Sequence, residues 1–383
     1  MDHAATTYAA PEVVAEMLPY FSEKFGNPSS VYNIGQENKT AVDAARAKVA
    51  AAINAEPNEI YFTAGGSESD NWALKGVAFA NSRKGKHIIT TAIEHHAILH
   101  AGEWLQSQGF EVTYLPVDKF GVVSVTDVEK AIRPDTILIS VMYANNEVGT
   151  IQPIKEIGSI AKAHNIYFHT DAVQAVGHVP IDVKAEHIDM LSLSGHKFYG
   201  PKGVGALYIK KGVRIQNLIH GGAQESKHRA GTENVPGIVG LGVAIERAVQ
   251  KMPVEAPRLA RMRDRLTAEL LKIPASHLNG HPTQRLPNNV NITFEYIEGE
   301  GILLLLNMFG ICASTGSACN SASLEPSHVL TAMGVPHEIS HGSVRLTVGE
   351  RNTDEDVKYV LEKLPEIIHK LRSMSPLTPK ELK

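Results

Sequence analysis

Four short stretches of this sequence gather side chains able to carry protons, bind anions or act as nucleophiles. They are Glu94-His95-His96, Asn145-Asn146-Glu147, Asp171-Ala172-Val173-Gln174 and Ser194-Gly195-His196-Lys197. Each follows a run that reads as a β-strand: His87–Thr91, Thr136–Met142, Ile166–Thr170 and Met190–Leu193. In an open sheet, residues just past the carboxyl ends of parallel strands converge on one edge, and ligands bind there. Singly, each group has an ordinary structural explanation: Asp171 as a cap, Lys197 as a solvated lysine, His95 as a satisfied core histidine. The combination says more. A lysine and an acid at successive strand ends suit pyridoxal phosphate. Lysine forms a Schiff base with the aldehyde, and the acid keeps the pyridine nitrogen protonated so that the ring can accept electrons.

A phosphate needs its own site. Phe62-Thr63-Ala64-Gly65-Gly66-Ser67 precedes a helix that the spacing of Ser67 and Asp70, as a capping box, predicts to run through Ala80. Two glycines let the backbone approach an anion, and the first helical amides point toward it. The stretch is neither a Walker loop nor a Gly-x-Gly-x-x-Gly turn. Ser194 and His196, flanking Lys197, are candidate donors to the same phosphate.

The two cysteines, Cys312 and Cys319, lie in one segment. That rules out a disulfide framework and fits a reducing compartment. Residues 313–323 are small and polar with no helical or strand period, the composition of an exposed loop. An exposed thiol there points to reactivity, so Cys319 reads as chemistry. Cys312, after an aliphatic helix and beside Ile311, reads as a small core residue. A metal site on two cysteines would need further ligands in matching spacing, and none is evident.

These residues have to be held by a scaffold. From about residue 60 to 250, short β-rich runs, including Val204–Ile209, alternate with helical patterns, one of them opened by Pro153 and running to about His164. That alternation predicts βαβ units and a mostly parallel central sheet in an α/β protein. The pattern changes near residue 253. A helix over Glu255–Lys272, a strand over Val290–Phe294, a helix over Gly301–Phe309, a strand over Ser343–Val348 and a closing helix capped by Thr353 read as an α+β lobe. With 383 residues the chain exceeds one ordinary core. The expected division is a large domain over 15–252 and a small domain built from 1–14 and 253–383. The net charge of −4 supplies no global field for a nucleic acid. The longest aliphatic run, Ile302 to Leu306, is too short for a bilayer. With no basic, apolar start, the reading is a cytoplasmic chain without nucleic-acid or membrane partners.

The ordered set Thr63–Ser69, Glu94-His95, Asn145-Asn146-Glu147, Asp171–Gln174, Ser194–Lys197, Arg229-Ala230-Gly231-Thr232, Gly316-Ser317-Ala318-Cys319 and Ser343-Val344-Arg345 resembles the NifS/IscS-type cysteine desulfurases. These are fold type I pyridoxal-phosphate enzymes of the class V aminotransferase kind. The resemblance spans nearly the whole chain. It implies conversion of L-cysteine to L-alanine, with the sulfur carried as a persulfide on Cys319 toward iron–sulfur cluster assembly or tRNA thiolation. It further implies Lys197 as the cofactor's lysine and proton carrier, Asp171 at the pyridine nitrogen, Gln174 at the phenolic oxygen, and His95 stacked on the ring. Gly66, Ser67, Ser194 and His196 would cradle the phosphate, joined by Thr232 from the other subunit of a homodimer. Asn146 and Arg345 would bind the substrate carboxylate; without the resemblance Arg345 reads as an outward residue of an edge strand. A sulfur-acceptor protein is the implied partner.

The match has departures. Gly66-Ser67 stands where Ala-Thr is common, and Asn320 where threonine is common. Met1-Asp2 begins where relatives usually carry a short strand first, so a loose N-terminal edge is expected. The rival readings are a selenocysteine lyase, another class V aminotransferase, and a non-catalytic assembly platform; Lys197 and Cys319 together argue against the last.

Overall fold

The computed structural model describes residues 1–315 and 326–383. Its centre is a seven-stranded sheet in the order β1-β7-β6-β5-β4-β2-β3. The strands are β1 (Ile60–Thr63), β2 (His87–Thr91), β3 (Glu111–Leu115), β4 (Thr136–Ser140), β5 (Tyr167–Asp171), β6 (Met190–Ser194) and β7 (Gly205–Ile209). The pairs from β3 through β6 are parallel, while β7 runs antiparallel to β6 and β1. β2, β4, β6 and β7 are buried along their whole length, as expected for strands covered on both faces. The edge strand β3 carries exposed and half-buried residues, so no uniform apolar run marks it in the sequence. Helices Gly66–Asn81 and His96–Ser107 pack with Ile88, Leu138 and Met190 in one apolar cluster. On the opposite side Asn33–Ala52 and the first half of Val235–Leu270 pack with Ile139, Phe168 and Leu191 in another.

A second sheet, β10 (Ser343–Thr347), β9 (Asn289–Phe294) and β8 (Ser276–Leu278), is antiparallel. It shares its own apolar cluster with helices Gly299–Met308 and Asp354–Met374, the latter opened by a Thr353/Asp356 capping box. The helix expected to start at Glu255 is the second half of Val235–Leu270, which runs on through Pro253 and Pro257. Each proline removes an intrahelical donor. Burial of Ile238, Leu241 and Ile245 on one side of them and Leu259, Leu266 and Leu270 on the other keeps the helix continuous.

Two further expectations change. Helix Gly66–Asn81 begins one residue before Ser67, with Gly65 as its N-cap at φ +151°, so Ser67 is not a capping residue and Asp70 is a buried side chain in the helix. The N-terminal edge is paired rather than loose. Thr347 donates its N–H to the Met1 carbonyl at 2.8 Å, and the Ala4 N–H donates to Thr347 Oγ1 at 2.9 Å. Among the described residues, no helix is long and apolar enough to cross a membrane.

Candidate active site

The ends of β2, β4, β5 and β6 open into one cavity of about 340 Å3. Ten of the twelve candidate residues line it: Gly66, Ser67, His95, Asn146, Asp171 and Gln174, with Ser194, His196, Lys197 and Arg345. Asp171 is the last residue of β5 and pairs in register with Ser192 of β6, so Lys197 follows one short turn later on the neighbouring strand. The Lys197 ammonium donates to the carbonyl oxygens of Ala4 and Ala5 at 2.6 and 3.0 Å, and Gln174 Nε2 donates to the Ala4 carbonyl at 3.0 Å. The N-terminal segment therefore forms one wall. Sequence reasoning did not single it out, because its contribution is backbone carbonyls that no side chain announces.

His95 is the N-cap of helix His96–Ser107. Its Nδ1 accepts the Ala97 N–H at 3.1 Å, which places the ring proton on Nε2. Burial, then the nearby Lys197 charge, lowers His95 to about 4, so the imidazole is neutral at pH 7. Burial, then Lys197, likewise lowers His196 to about 4, and its Nδ1 lies 3.0 Å from Thr6 Oγ1. Asp171 is raised above the usual carboxylate range chiefly by burial; the Val173 N–H at 2.9 Å and the Lys197 charge oppose that rise.

Arg345 is 2% exposed and projects from the small sheet into the cavity, so it is not a solvated edge residue. It donates to the Asn146 carbonyl oxygen at 2.8 Å and to Asp2 Oδ1 at 3.1 Å. Asn146 is presented by a turn in which the Asn145 side chain accepts the N–H groups of Glu147 and Val148. The strand alternation around Arg345 implied an outward side chain; its packing partners come from residues hundreds of positions away, which local pattern does not reveal.

Cys319 lies outside the described residues. The flanks of its segment are tied beside the cavity. Ser314 exchanges backbone hydrogen bonds with Arg345, and its hydroxyl donates to Asp2 Oδ2 at 2.8 Å. On the other side, Ser327 bonds the buried Glu147 carboxyl, and the His328 ring bonds the Glu94 carbonyl oxygen at 2.9 Å. Cys312 is exposed, which corrects its reading as a core residue; Ile311 turns inward and the adjacent thiol turns out. Thr232 is exposed and does not line this cavity within one chain. The lining also includes Asp70, expected only as part of a capping box, and Val173, neither of them a candidate site residue.

Pyridoxal phosphate fits these residues. A Cβ on Gly66 would come within 2.7 Å of Val173 Cγ2, so the glycine lets the backbone lie against the cavity wall without displacing the Val173 side chain. The first turn of a sixteen-residue helix, with Ser67, Ser194 and His196 around it, is a donor set for a phosphate. Asp171 and Lys197 would supply an acid for the ring nitrogen and an amine for the aldehyde.

The class V aminotransferase family matches over residues 1–360. The chain is 70% identical over 381 residues to the cysteine desulfurase IscS of Methanosarcina thermophila, covering 100% of this chain and 94% of that protein. It is 63% identical over 380 residues to the cysteine desulfurase IscS of Clostridium botulinum strain Hall, covering 98% and 96%. A solved structure described as a NifS-like protein superposes with a TM-score of 0.92 at 42% identity, over 97% of this chain and 99% of that one. Another, described as SspA in complex with cysteine, gives 0.81 at 41% identity over 91% and 97%.

Proposed function

We infer the reaction from family and site together: the chain belongs to the class V aminotransferase family and, within it, to the cysteine desulfurases. Its substrate is L-cysteine, its organic product L-alanine, and the sulfur leaves as a persulfide on Cys319. Pyridoxal phosphate is the cofactor, and when bound it supplies an electron sink that loosens the bonds around the substrate's α-carbon.

The chain's own residues do the rest. Arg345, with Asn146, holds the substrate carboxylate. Lys197 Nζ would take the proton from the substrate's α-carbon. Asp171 would keep its charge beside the ring nitrogen, Gln174 would donate to the phenolic oxygen, and neutral His95 would cover the ring face and pass protons through Nε2. Gly66, Ser67, Ser194 and His196 hold the phosphate. The Cys319 thiolate attacks the substrate sulfur; an S–S bond forms as the C–S bond breaks, and its electron pair stays with carbon, which is then protonated to alanine. Thr232 serves the phosphate site of the second subunit in a homodimer. The persulfide sulfur passes to an acceptor such as an iron–sulfur scaffold protein in the cytoplasm. The large domain over 15–252 carries the cofactor, and the small domain over 1–14 and 253–383 carries Cys319.

The observation that carries this reading is the meeting of Lys197, Asp171 and His95, from three strand ends, with Arg345 from the small sheet in one cavity. The test is incubation of the cofactor-loaded protein with L-cysteine, quantifying alanine and protein persulfide. Equal amounts of both are expected in the first turnover. A keto acid formed from added amino acid would make it an aminotransferase, and sulfide or selenide release independent of Cys319 would make it a lyase.

A further inference from the structure

We propose that Asp70 is a positioning residue that stays protonated in the cavity wall, so that Asp70 and Asp171 together carry one negative charge and that charge sits on Asp171. This rests on the reading of Asp171 as the partner of the ring nitrogen. Asp70 is 1% exposed and lines the same cavity as Asp171. The two carboxyls are served unequally. Asp171 accepts the Val173 N–H and feels the Lys197 charge. Asp70 has a buried Oδ1 with no hydrogen-bond partner, and among the described residues no lysine or arginine pairs with it.

The basic group beside it is His169, whose Nε2 lies 3.8 Å from Asp70 Oδ1. That contact would be an ion pair only with a charged imidazole, and the imidazole is neutral. Its nitrogens bond Ser140 Oγ at 2.9 Å and Ser192 Oγ at 3.0 Å, and complete burial lowers it to about 3. The remaining groups facing Asp70 are the acids Asp171 and Glu94 and the Ser192 hydroxyl. Burial first, and the Asp171 charge second, raise Asp70 well above the carboxylate range, against a smaller opposing effect of Ser192. An ionised Asp70 would be a buried charge with one hydroxyl and no cation beside it among the described residues. It would also push Asp171 toward its neutral acid, which cannot hold a ring nitrogen protonated. Taking up the proton at Asp70 leaves Asp171 ionised.

The test is an infrared difference spectrum at pH 7 between the full-length protein and Asp70→Asn, with and without pyridoxal phosphate. Loss of a protonated-carboxyl C=O band, sensitive to deuterium, is expected in both states. Loss of a carboxylate band instead would overturn the proposal. Cofactor affinity gives the second measurement. Asp70→Asn, a neutral group of the same shape, should stay within about threefold, whereas Asp70→Ala, which empties the wall beside Asp171, should weaken binding about tenfold. Equal weakening in both variants would remove the positioning role. Asp171→Asn separates the two ideas. If it left cofactor affinity and spectrum normal while the Asp70 band persisted, the ring-nitrogen reading would fail and the protonated Asp70 would stand.

Discussion

Replacing Arg345 by lysine puts the substrate-carboxylate assignment under direct strain. The guanidinium is buried, with Nη1 on the Asn146 carbonyl oxygen and Nη2 on Asp2, while its buried Nε has no hydrogen-bond partner among the described residues. A guanidinium carries five N–H donors in a fixed fork. Two are committed to the protein, which leaves others for a carboxylate. Lysine keeps the charge but gathers its three hydrogens on one nitrogen at shorter reach. It cannot hold Asp2, Asn146 and a bidentate carboxylate at once. A hydrogen bond to a charged group is worth about 1.5–3 kcal/mol. A net deficit of one such bond, about 2 kcal/mol, corresponds to roughly a 30-fold fall in kcat/KM. The loss should appear in KM, because the carboxylate is held alike before and during the reaction. The weakened Asp2 contact should also lower Tm by a few degrees. Alanine formation measured against L-cysteine concentration, with a thermal melt of the same sample, checks both. A KM within about threefold of the unsubstituted protein would refute the assignment, since a bond of this size cannot vanish without at least a tenfold effect.

Lys197→Ala should abolish turnover and borohydride-reducible attachment of the cofactor; stable attachment in that variant would place the reactive amine elsewhere. Cys319→Ala should still bind cofactor and L-cysteine yet yield neither alanine nor persulfide, while Cys312→Ala, changing an exposed side chain, should shift stability by less than about 0.5 kcal/mol and leave persulfide formation intact. Persulfide found on Cys312 by mass spectrometry would reverse that assignment. Burial raises Glu94 to about 8, so it is protonated in the folded protein at pH 7 but ionised in the unfolded chain, and its contribution to stability is lost as pH rises from near 4 toward 8. The Tm of Glu94→Gln relative to the unsubstituted protein should therefore rise between pH 5 and pH 8, and a flat difference would contradict the burial argument. Thr232→Ala should weaken cofactor retention if the site is shared between subunits; a fully active monomer in sedimentation would exclude the sharing.

Local pattern was enough for the parts of this protein that depend on neighbours in sequence. Apolar-rich runs ending in Glu94-His95, Asn145-Asn146, Asp171 and Ser194-Gly195-His196-Lys197 announce buried parallel strands with chemistry at one end, because a strand covered on both faces is largely apolar until it leaves the sheet. Thr353 and Asp356 likewise announce a helix start through their own reciprocal hydrogen bonds. Other features exist only once distant segments pack. Alternation around Arg345 suggests an outward side chain; it is buried because Asp2 and Asn146 arrive from 343 and 199 positions away. Pro253 looks like a break, but apolar cores at both ends of Val235–Leu270 outweigh the lost hydrogen bonds. Ser67 and Asp70 pass for a capping box until Gly65 takes the N-cap position and the Asp70 carboxyl is buried in the helix. The wall that holds Lys197 is made of Ala4 and Ala5 carbonyl oxygens, a group every residue carries, so only the path of the backbone decides which carbonyls face the lysine.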